Sequence, residues 1–233
     1  MSNILYADIE TAPLLEKVNQ MHTFKLEDVK YGNTKDPEKR QAIADDAERK
    51  FWAEKTDKAQ LNPDTSEICA IGYVIAGNID LHGFDGESEK NMLEAFWRMA
   101  FPDEDHNTII FSKIAGWNFN KFDLKFLYKR SIYNGIKLPN HVMRNGRPND
   151  RFVDLMDVHQ FHEYKSFLSL DKACIANSID VRESTGADNI GGKDFYKYLR
   201  GSDEDKELAR GYLEDDMRQT HAIGTRLHNT VGF

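Results

Sequence analysis

The order of strand-like and helix-like segments constrains the fold of this chain more than any other feature of its sequence. Apolar runs and apolar/polar alternation predict strands at residues 3–13, in a hairpin over 67–84, at 107–112 and at 151–156. Apolar residues at helical spacing predict a helix after Ser88, another from Asn118 to Gly135, and a largely helical last third. Strands paired in sequence and then joined by right-handed crossovers form a mixed sheet. We therefore expect an α/β protein with a mixed five-stranded sheet flanked by helices.

A polar segment at about residues 14–60 interrupts this pattern after the first strand. It carries ten acidic and ten basic residues and little strand character. Asp36 followed by Pro37 is a favourable cap and first-turn pair for a long charged helix. We expect one domain over residues 1–233 with this segment as a charged helical insertion. The insertion could pack as a lid, bind a partner or lie along a substrate, and the sequence does not choose among these.

The charge distribution gives a mixed indication about nucleic acid. A formal net charge of −8 argues against a polyanionic partner, because phosphates are neutralised by Lys and Arg. However, the block from Lys113 to Arg151 contains nine basic and two acidic residues, a local charge of +7. Such a block is either a phosphate-binding surface or a solvated helix face followed by a basic loop. The candidate phosphate contacts within it are Lys121, Lys125, Arg144, Arg147 and Arg151.

The sequence shows neither a clear targeting segment nor a disulfide pattern. The first residues lack a basic segment followed by an apolar one, and no stretch approaches eighteen consecutive apolar residues, so we expect neither secretion nor a membrane span. Cys69 and Cys174 are far apart in apolar segments, which favours reduced, buried thiols. A cytoplasmic protein is the expected outcome.

Two carboxylates stand side by side on the first strand. Alternation places Asp8 and Glu10 on one face and Leu5, Ala7 and Ile9 on the other. Like charges on neighbouring positions of one face repel and are costly to desolvate. Either this face is exposed at a sheet edge, or something offsets the repulsion.

Two further acids lie where a chemical role can be stated. Asp123 falls in the first part of a helix, where a carboxylate either caps the helix or serves a site. Tyr212 and Asp216 are four residues apart on one helix face, in line with the apolar Ile223 and Leu227. A charge on a core-facing stripe needs a partner, which an ordinary salt bridge would also provide.

Together these acids form a suitable donor set for hard divalent cations. Mg²⁺ and Mn²⁺ prefer oxygen ligands, and two such ions roughly 4 Å apart can clamp the attacking and leaving oxygens of a phosphodiester. Shared cations would offset the repulsion between Asp8 and Glu10.

Three segments, in order, carry a resemblance to a known family. The segments YADIETAP (6–13), GWNFNKFD (116–123) and YLEDD (212–216) resemble the three motifs of the DEDD superfamily of 3′ to 5′ exonucleases. Tyr212 stands four positions before Asp216 and position 211 is glycine, so the chain is similar to the tyrosine subgroup, DEDDy. Proofreading domains of B-family DNA polymerases, their standalone relatives and ribonuclease D share this arrangement. The element order likewise resembles the ribonuclease H-like fold.

The resemblance implies a role for each matched residue. Asp8, Glu10 and Asp216 would ligate a catalytic metal, Asp8 would bridge to a second metal, and Asp123 would hold that second ion through water. Tyr212 would orient the attacking water, because a phenol at its ordinary pKa is a poor base at neutral pH. Thr11 would contact the terminal nucleotide, and Asn118 and Phe122 would help to shape the same pocket. The alternative roles are core packing for Phe122 and a helix cap for Asn118.

The implied function is a metal-dependent 3′ to 5′ exonuclease. It would act on single-stranded DNA or frayed 3′ ends, release nucleoside monophosphates, and proofread in trans with a DNA polymerase or another replication partner. Such an enzyme suits phage or bacterial DNA metabolism, and for a phage protein the expected location is the host cytoplasm. The alternatives are an RNA-trimming enzyme similar to ribonuclease D and a catalytically idle nuclease fold used as a binding module.

Two other patterns are weaker. His159, His162 and Glu163 do not have the spacing of a HExxH zinc motif. The segment GADNIGGKD (186–194) lacks the Gly-x4-Gly-Lys-Ser/Thr spacing of a nucleotide triphosphate loop, since Asp194 stands where a hydroxyl is required.

Overall fold

The computed structural model describes residues 3–102, 110–140, 142–144, 147–163, 167–183 and 190–233. Its strands are β1 Ile4–Pro13, β2 Ser66–Ile75, β3 Asn78–His82, β4 Lys113–Gly116, β5 Met143–Arg144, β6 Arg147–Pro148 and β7 Phe152–Asp154. Its helices are α1 Leu15–Met21, α2 Pro37–Ala59, α3 Glu89–Ala100, α4 Asp123–Tyr133, α5 Leu155–His159, α6 Leu170–Ala176, α7 Phe195–Leu199 and α8 Asp203–Val231. Five strands form one sheet in the order β3-β2-β1-β4-β7, and β5 and β6 form a separate two-stranded ribbon. The predicted mixed five-stranded sheet is confirmed.

The sheet combines an antiparallel hairpin with parallel strands. β2 and β3 pair antiparallel across the turn at Ala76 and Gly77, both in left-handed conformations. β1 pairs parallel with β4, with Tyr6 opposite Ala115, and β4 pairs parallel with β7. The register places Gly116 opposite Asp154, so β4 and β7 end together at one edge of the sheet.

Helices cover both faces of the sheet, as predicted. Leu5, Ala7 and Ile9 of β1 belong to a buried cluster with residues of α3 and α4. Ile4 and Tyr6 of β1 belong to a second cluster with residues of α5, α6 and α8. β1 is therefore buried on both faces, and a carboxylate on it is removed from bulk water unless it opens into a site.

Several boundaries differ from the sequence prediction. The strand predicted at 107–112 shares no described residue with β4, which begins at Lys113. The Ser112 amide, just before β4, donates to the Asn3 carbonyl (2.8 Å). Residues 107–109 lie outside the described residues. The strand predicted at 151–156 ends at Asp154, whose side chain accepts from the Met156 amide and starts α5.

Helix ends follow their caps. The helix predicted from Asn118 begins at Asp123, because Asn118 is left-handed (φ 56°) and its carbonyl accepts from the Phe122 amide in a turn. The predicted capping box between Ser202 and Asp205 is present at the start of α8.

The chain divides into two compact units, Met1–Thr11 with Ile68–Phe233, and Ala12–Glu67. The smaller unit holds α1 and α2. Asp36 caps α2 by accepting from the Glu38 amide, and the rings of Phe24 and Phe51 lie 5.7 Å apart. The position of this unit within a single exonuclease domain, as expected for 14–60, stays a prediction.

Two further findings concern the whole chain. Cys69 and Cys174 are buried free thiols. Within the described ranges, no helix combines the length and the apolar composition needed to cross a membrane.

Candidate active site

Three carboxylates from the central strand and the last helix meet at one point. Oxygens of Asp8, Glu10 and Asp216 all lie within 4.8 Å of one another. β1 supplies the first two on one face, and α8 packs against that face of the sheet and supplies the third. Residues more than 200 positions apart in sequence are therefore neighbours in the fold.

Asp123 completes the group from the other side of β1. It is the first residue of α4 and is almost fully buried. Its Oδ1 accepts a hydrogen bond from the Ile9 amide (3.0 Å), between Asp8 and Glu10. Its carboxyl group also hydrogen-bonds to Asp8. The structure thus brings together all four acids that the sequence predicted, and we call them the acid cluster.

Tyr212 lies one helical turn before Asp216 and faces the same cluster. Its hydroxyl donates a hydrogen bond to Asp216, and its ring packs 5.9 Å from the ring of Phe195. Burial, together with the charges of Asp216 and Glu10, raises the pKa of Tyr212. The phenol therefore stays protonated at neutral pH and can act as a donor.

The electrostatics of the acid cluster are unfavourable without a cation. Burial raises the pKa of Asp8 to about 7, against the opposing effect of its hydrogen bond to Asp123. Burial, and then the charge of Asp8, raises the pKa of Asp216 to about 8. Burial also raises the pKa of Glu10 and of Asp123 well above their ordinary values. Buried oxygen donors that repel one another in this way fit hard divalent cations, because a cation removes the cost of ionising them.

Arg182 is a neighbour that sequence reasoning missed. Its Nη2 lies 3.7 Å from Asp216 Oδ1, and its guanidinium also pairs with Asp171. It lowers the pKa of Asp216, although burial and Asp8 outweigh it. No motif marks this arginine, since it reaches the cluster from a loop.

Gly192 is a second neighbour that sequence reasoning missed. A Cβ placed on it would lie 3.5 Å from Tyr212 Oη and 3.9 Å from Glu10 Oε2. It belongs to the segment 186–194, which the sequence analysis rejected as a phosphate loop, and of which 186–189 lie outside the described residues. Two successive glycines before a short helix were the available signal.

The predicted contacts to the terminal nucleotide lie in the segments that carry the acids. Thr11 is buried and follows Glu10 on β1. Asn118 is half-buried in its left-handed turn. Phe122 directly precedes Asp123 and packs against the ring of Phe126 at 4.8 Å. Their contact with a nucleotide stays a prediction.

The predicted phosphate contacts are spread over several elements. Lys121 pairs with Asp157, and Lys125 is exposed on α4. Arg147 is exposed on β6, whereas the side chain of Arg144 on β5 lies outside the described part of the structure. Arg151 lies directly before β7, with its guanidinium 4.8 Å from the ring centre of Phe101.

Arg151 is tied into the protein rather than pointing freely into solvent. Its Nη2 donates to the Phe111 carbonyl (2.8 Å), and burial lowers its pKa. Asp154, at the other end of β7, accepts from the Asn120 amide (3.2 Å). Its charge contributes to the raised pKa of Asp123 in the acid cluster.

Comparison with known proteins supports the fold. No protein-family model matches this sequence, and no curated protein sequence matches it. Among solved structures, the chain is similar to the family B DNA polymerase from the hyperthermophilic archaeon Pyrobaculum calidifontis, with a TM-score of 0.60 and 15% sequence identity. The match covers 97% of this chain and 24% of the polymerase chain, so this chain spans about a quarter of the length of that polymerase. The α/β architecture, a mixed five-stranded sheet flanked by helices, is thus a ribonuclease H-like fold, as predicted.

Proposed function

We propose that this chain is a metal-dependent 3′ to 5′ exonuclease of the DEDD type, tyrosine subgroup. It hydrolyses phosphodiester bonds at the 3′ ends of single-stranded or frayed DNA and releases nucleoside monophosphates. The observation that carries the proposal is the acid cluster. Oxygens of Asp8, Glu10 and Asp216 lie within 4.8 Å of one another, and Asp123 accepts a hydrogen bond from the Ile9 amide between the first two.

The acid cluster would hold two divalent cations, Mg²⁺ or Mn²⁺. Asp8, Glu10 and Asp216 would hold one ion, and Asp8 and Asp123 would hold the other. The ions would neutralise charge on the phosphate and make the attacking water more acidic. The raised pKa values of the four acids support this assignment, because burial and mutual repulsion outweigh even the guanidinium of Arg182 beside Asp216.

The protein's own groups would position the reactants. The protonated Tyr212 hydroxyl donates to Asp216, and its oxygen would accept a hydrogen bond from the attacking water. Such positioning lowers the barrier by removing the entropy cost of bringing the reactants together. Thr11, Asn118 and Phe122 would bind the terminal nucleotide. The basic residues Lys121, Lys125, Arg144 and Arg147 would contact phosphates further along the strand. Arg151 is left out of this set, because its guanidinium donates to the Phe111 carbonyl and packs on the Phe101 ring.

DNA is proposed as the substrate because a solved structure of similar fold is a DNA polymerase. A polymerase or replication partner acting in trans remains part of the proposal. An RNA-trimming activity like that of ribonuclease D and a catalytically idle binding module remain the competing functions.

The decisive experiment is digestion of DNA and RNA oligonucleotides labelled at the 3′ or the 5′ end, with Mg²⁺ or Mn²⁺. We expect loss of the 3′ label as mononucleotide, no reaction in EDTA, and no reaction with Asp8→Ala or Asp216→Ala. Glu214→Gln is the matched control, because Glu214 is on the same helix but pairs with Arg218. Shortening from the 5′ end would refute the polarity, and full activity in EDTA would refute the mechanism. Faster digestion of RNA would favour the ribonuclease D alternative.

A further inference from the structure

The glycine pair before α7 differs in what each glycine faces. Gly191 precedes and Gly192 begins a single turn of 3-10 helix, Gly192–Asp194. Neither has a positive φ, so the backbone at these positions is open to any L-amino acid. Conformational freedom therefore does not explain the glycine at position 192.

The space in front of Gly192 belongs to the acid cluster. A Cβ there would lie at ordinary contact distance from Tyr212 Oη (3.5 Å) and Glu10 Oε2 (3.9 Å). A Cβ on Gly191 would have no heavy atom within 4 Å among the described residues. The two glycines thus provide a matched pair, one facing the cluster and one facing away from it.

A side chain at position 192 would compete with water for this space. The two groups that border it are a phenol that donates to Asp216 and a buried carboxylate. Hydroxyl and carboxylate groups hydrogen-bond well to water, whereas a methyl group offers them no hydrogen bond. A water molecule takes up about 30 Å³ in the liquid, which is close to the size of a methyl group, so one methyl displaces one water.

We propose that Gly192 is a positioning residue whose missing side chain keeps open the place of the attacking water between Tyr212 and Glu10. The inference rests on the proposed exonuclease function and extends it to a residue outside the three motifs. Gly192 acts on the reaction through Tyr212 and Glu10, by leaving them access to water.

The test compares Gly192→Ala with Gly191→Ala in the full chain. We expect Gly192→Ala to lower kcat on a DNA oligonucleotide by about tenfold to a hundredfold, the size of effect that small misplacements of reacting groups produce. KM for the oligonucleotide and the affinity for Mn²⁺, measured by calorimetry without nucleic acid, should stay at the wild-type values. Gly192→Val should lower kcat further, and Gly191→Ala should match the wild type.

A second readout does not depend on activity. With ¹³C-labelled alanine, the methyl group introduced by Gly192→Ala gives a new NMR signal. Mn²⁺ bound at the acid cluster should broaden this signal more strongly than the signal of the methyl introduced by Gly191→Ala. Equal broadening would mean that position 192 does not face the cluster, and the proposal would be wrong.

The other outcomes are equally decisive. If the wild type releases no nucleotide, the proposed function fails and this inference fails with it. If the wild type is active and the two alanine variants have equal kcat, the inference alone fails. A Gly192→Ala protein that loses Mn²⁺ affinity, or does not fold by circular dichroism, would also overturn it, because the space would then serve the ions or the packing.

Discussion

The buried carboxylate of Glu89 and the buried acid cluster have opposite electrostatic surroundings. The side chain of Glu89, at the start of α3, is 8% exposed, and its oxygens accept from the Arg130 guanidinium (2.7 and 2.8 Å), the Asn134 side chain (2.8 Å) and the Ile68 amide (2.7 Å). The acid cluster is also buried, but its carboxylates face one another, and burial and mutual repulsion raise the pKa values of its members.

The difference separates a structural charge from a functional one. Glu89 ties α3, α4 and β2 together, and its negative charge is balanced by Arg130 within the protein. The acid cluster has four carboxylates and, at 3.7 Å from Asp216, the guanidinium of Arg182. Excess buried negative charge lowers stability unless cations arrive from solution. This loss of stability is located at the acid cluster, which is the site of the proposed hydrolysis.

The largest expected effect comes from removing one charge of the acid cluster. Asp8→Asn should lower the rate of DNA hydrolysis by at least about a thousandfold, because charge stabilisation by metal ions contributes several kcal/mol to the barrier. Gel assays at saturating Mg²⁺ measure this. The same variant should unfold at a higher urea concentration than the wild type in EDTA at pH 8. A variant that is inactive and also less stable would contradict the contrast with Glu89.

The reverse pattern is expected for Glu89→Gln. Removing one partner of a buried ion pair leaves Arg130 uncompensated, so the free energy of unfolding should fall by about 3 kcal/mol or more. The rate per folded molecule should stay close to that of the wild type, because Glu89 contacts Arg130 and Asn134, roughly two and three helical turns along α4 from Asp123. Urea unfolding and an activity assay on the same samples test this. Glu94→Gln is the control, since its pair with Lys90 is exposed and distant (3.9 Å) and contributes little.

The contrast between the two groups also explains what the sequence could predict. The acid cluster was predictable because the three segments that carry Asp8, Glu10, Asp123 and Asp216 resemble, in order, the motifs of a known exonuclease superfamily. Strand alternation and helical spacing alone left each acid open to an ordinary structural role. The Glu89 network was not predictable, because its partners are brought in by tertiary packing from β2 and α4. Arg182 and Gly192 were missed for the same reason, because tertiary packing brings Arg182 to the acid cluster from a loop and Gly192 from a single 3-10 turn.

Element types were easier to predict than element ends. Alternation and helical spacing gave four of the five strands of the sheet and the main helices. β4 lies directly after the strand predicted at 107–112, and the start of α4 depends on the turn at Asn118. The β5–β6 ribbon, with two residues in each strand, is too short for a periodic signal.

The acid cluster should make the stability of the metal-free protein depend on pH. In the folded state the pKa of Asp8 is raised to about 7 and the pKa of Asp216 to about 8. At pH values between the ordinary carboxyl pKa and these raised values, the folded state therefore binds more protons than the unfolded state. Each group therefore lowers stability increasingly as pH rises from about 4 to its folded pKa.

Urea unfolding in EDTA at pH 5 and pH 8.5 measures this effect. The stabilising effect of Asp8→Asn should be larger at pH 8.5 than at pH 5, by on the order of 2 kcal/mol. Mg²⁺ should stabilise the wild type at pH 8.5 and have less effect on Asp8→Asn. Equal stabilisation by the substitution at both pH values would mean that Asp8 is already ionised at pH 5.

The smallest effect is expected for Tyr212→Phe, which removes a donor from the acid cluster without changing its charge. The hydroxyl donates to Asp216, so its loss should change the free energy of unfolding by about 1 kcal/mol and leave Mn²⁺ affinity close to that of the wild type. Because the phenol stays protonated, its role is to position water, and kcat should fall by about tenfold. Tyr128→Phe, on the α4 side of the core, is the matched control.

The shape of the pH profile distinguishes positioning by Tyr212 from base catalysis. A tyrosine that positions water adds no ionisation of its own, so Tyr212→Phe should lower the rate by the same factor at every pH between 6 and 9. A tyrosine that removes a proton would give a loss that changes with pH. An unchanged kcat would mean that Glu10 or another group orients the water. The Tyr212 hydroxyl would then have no part in the reaction.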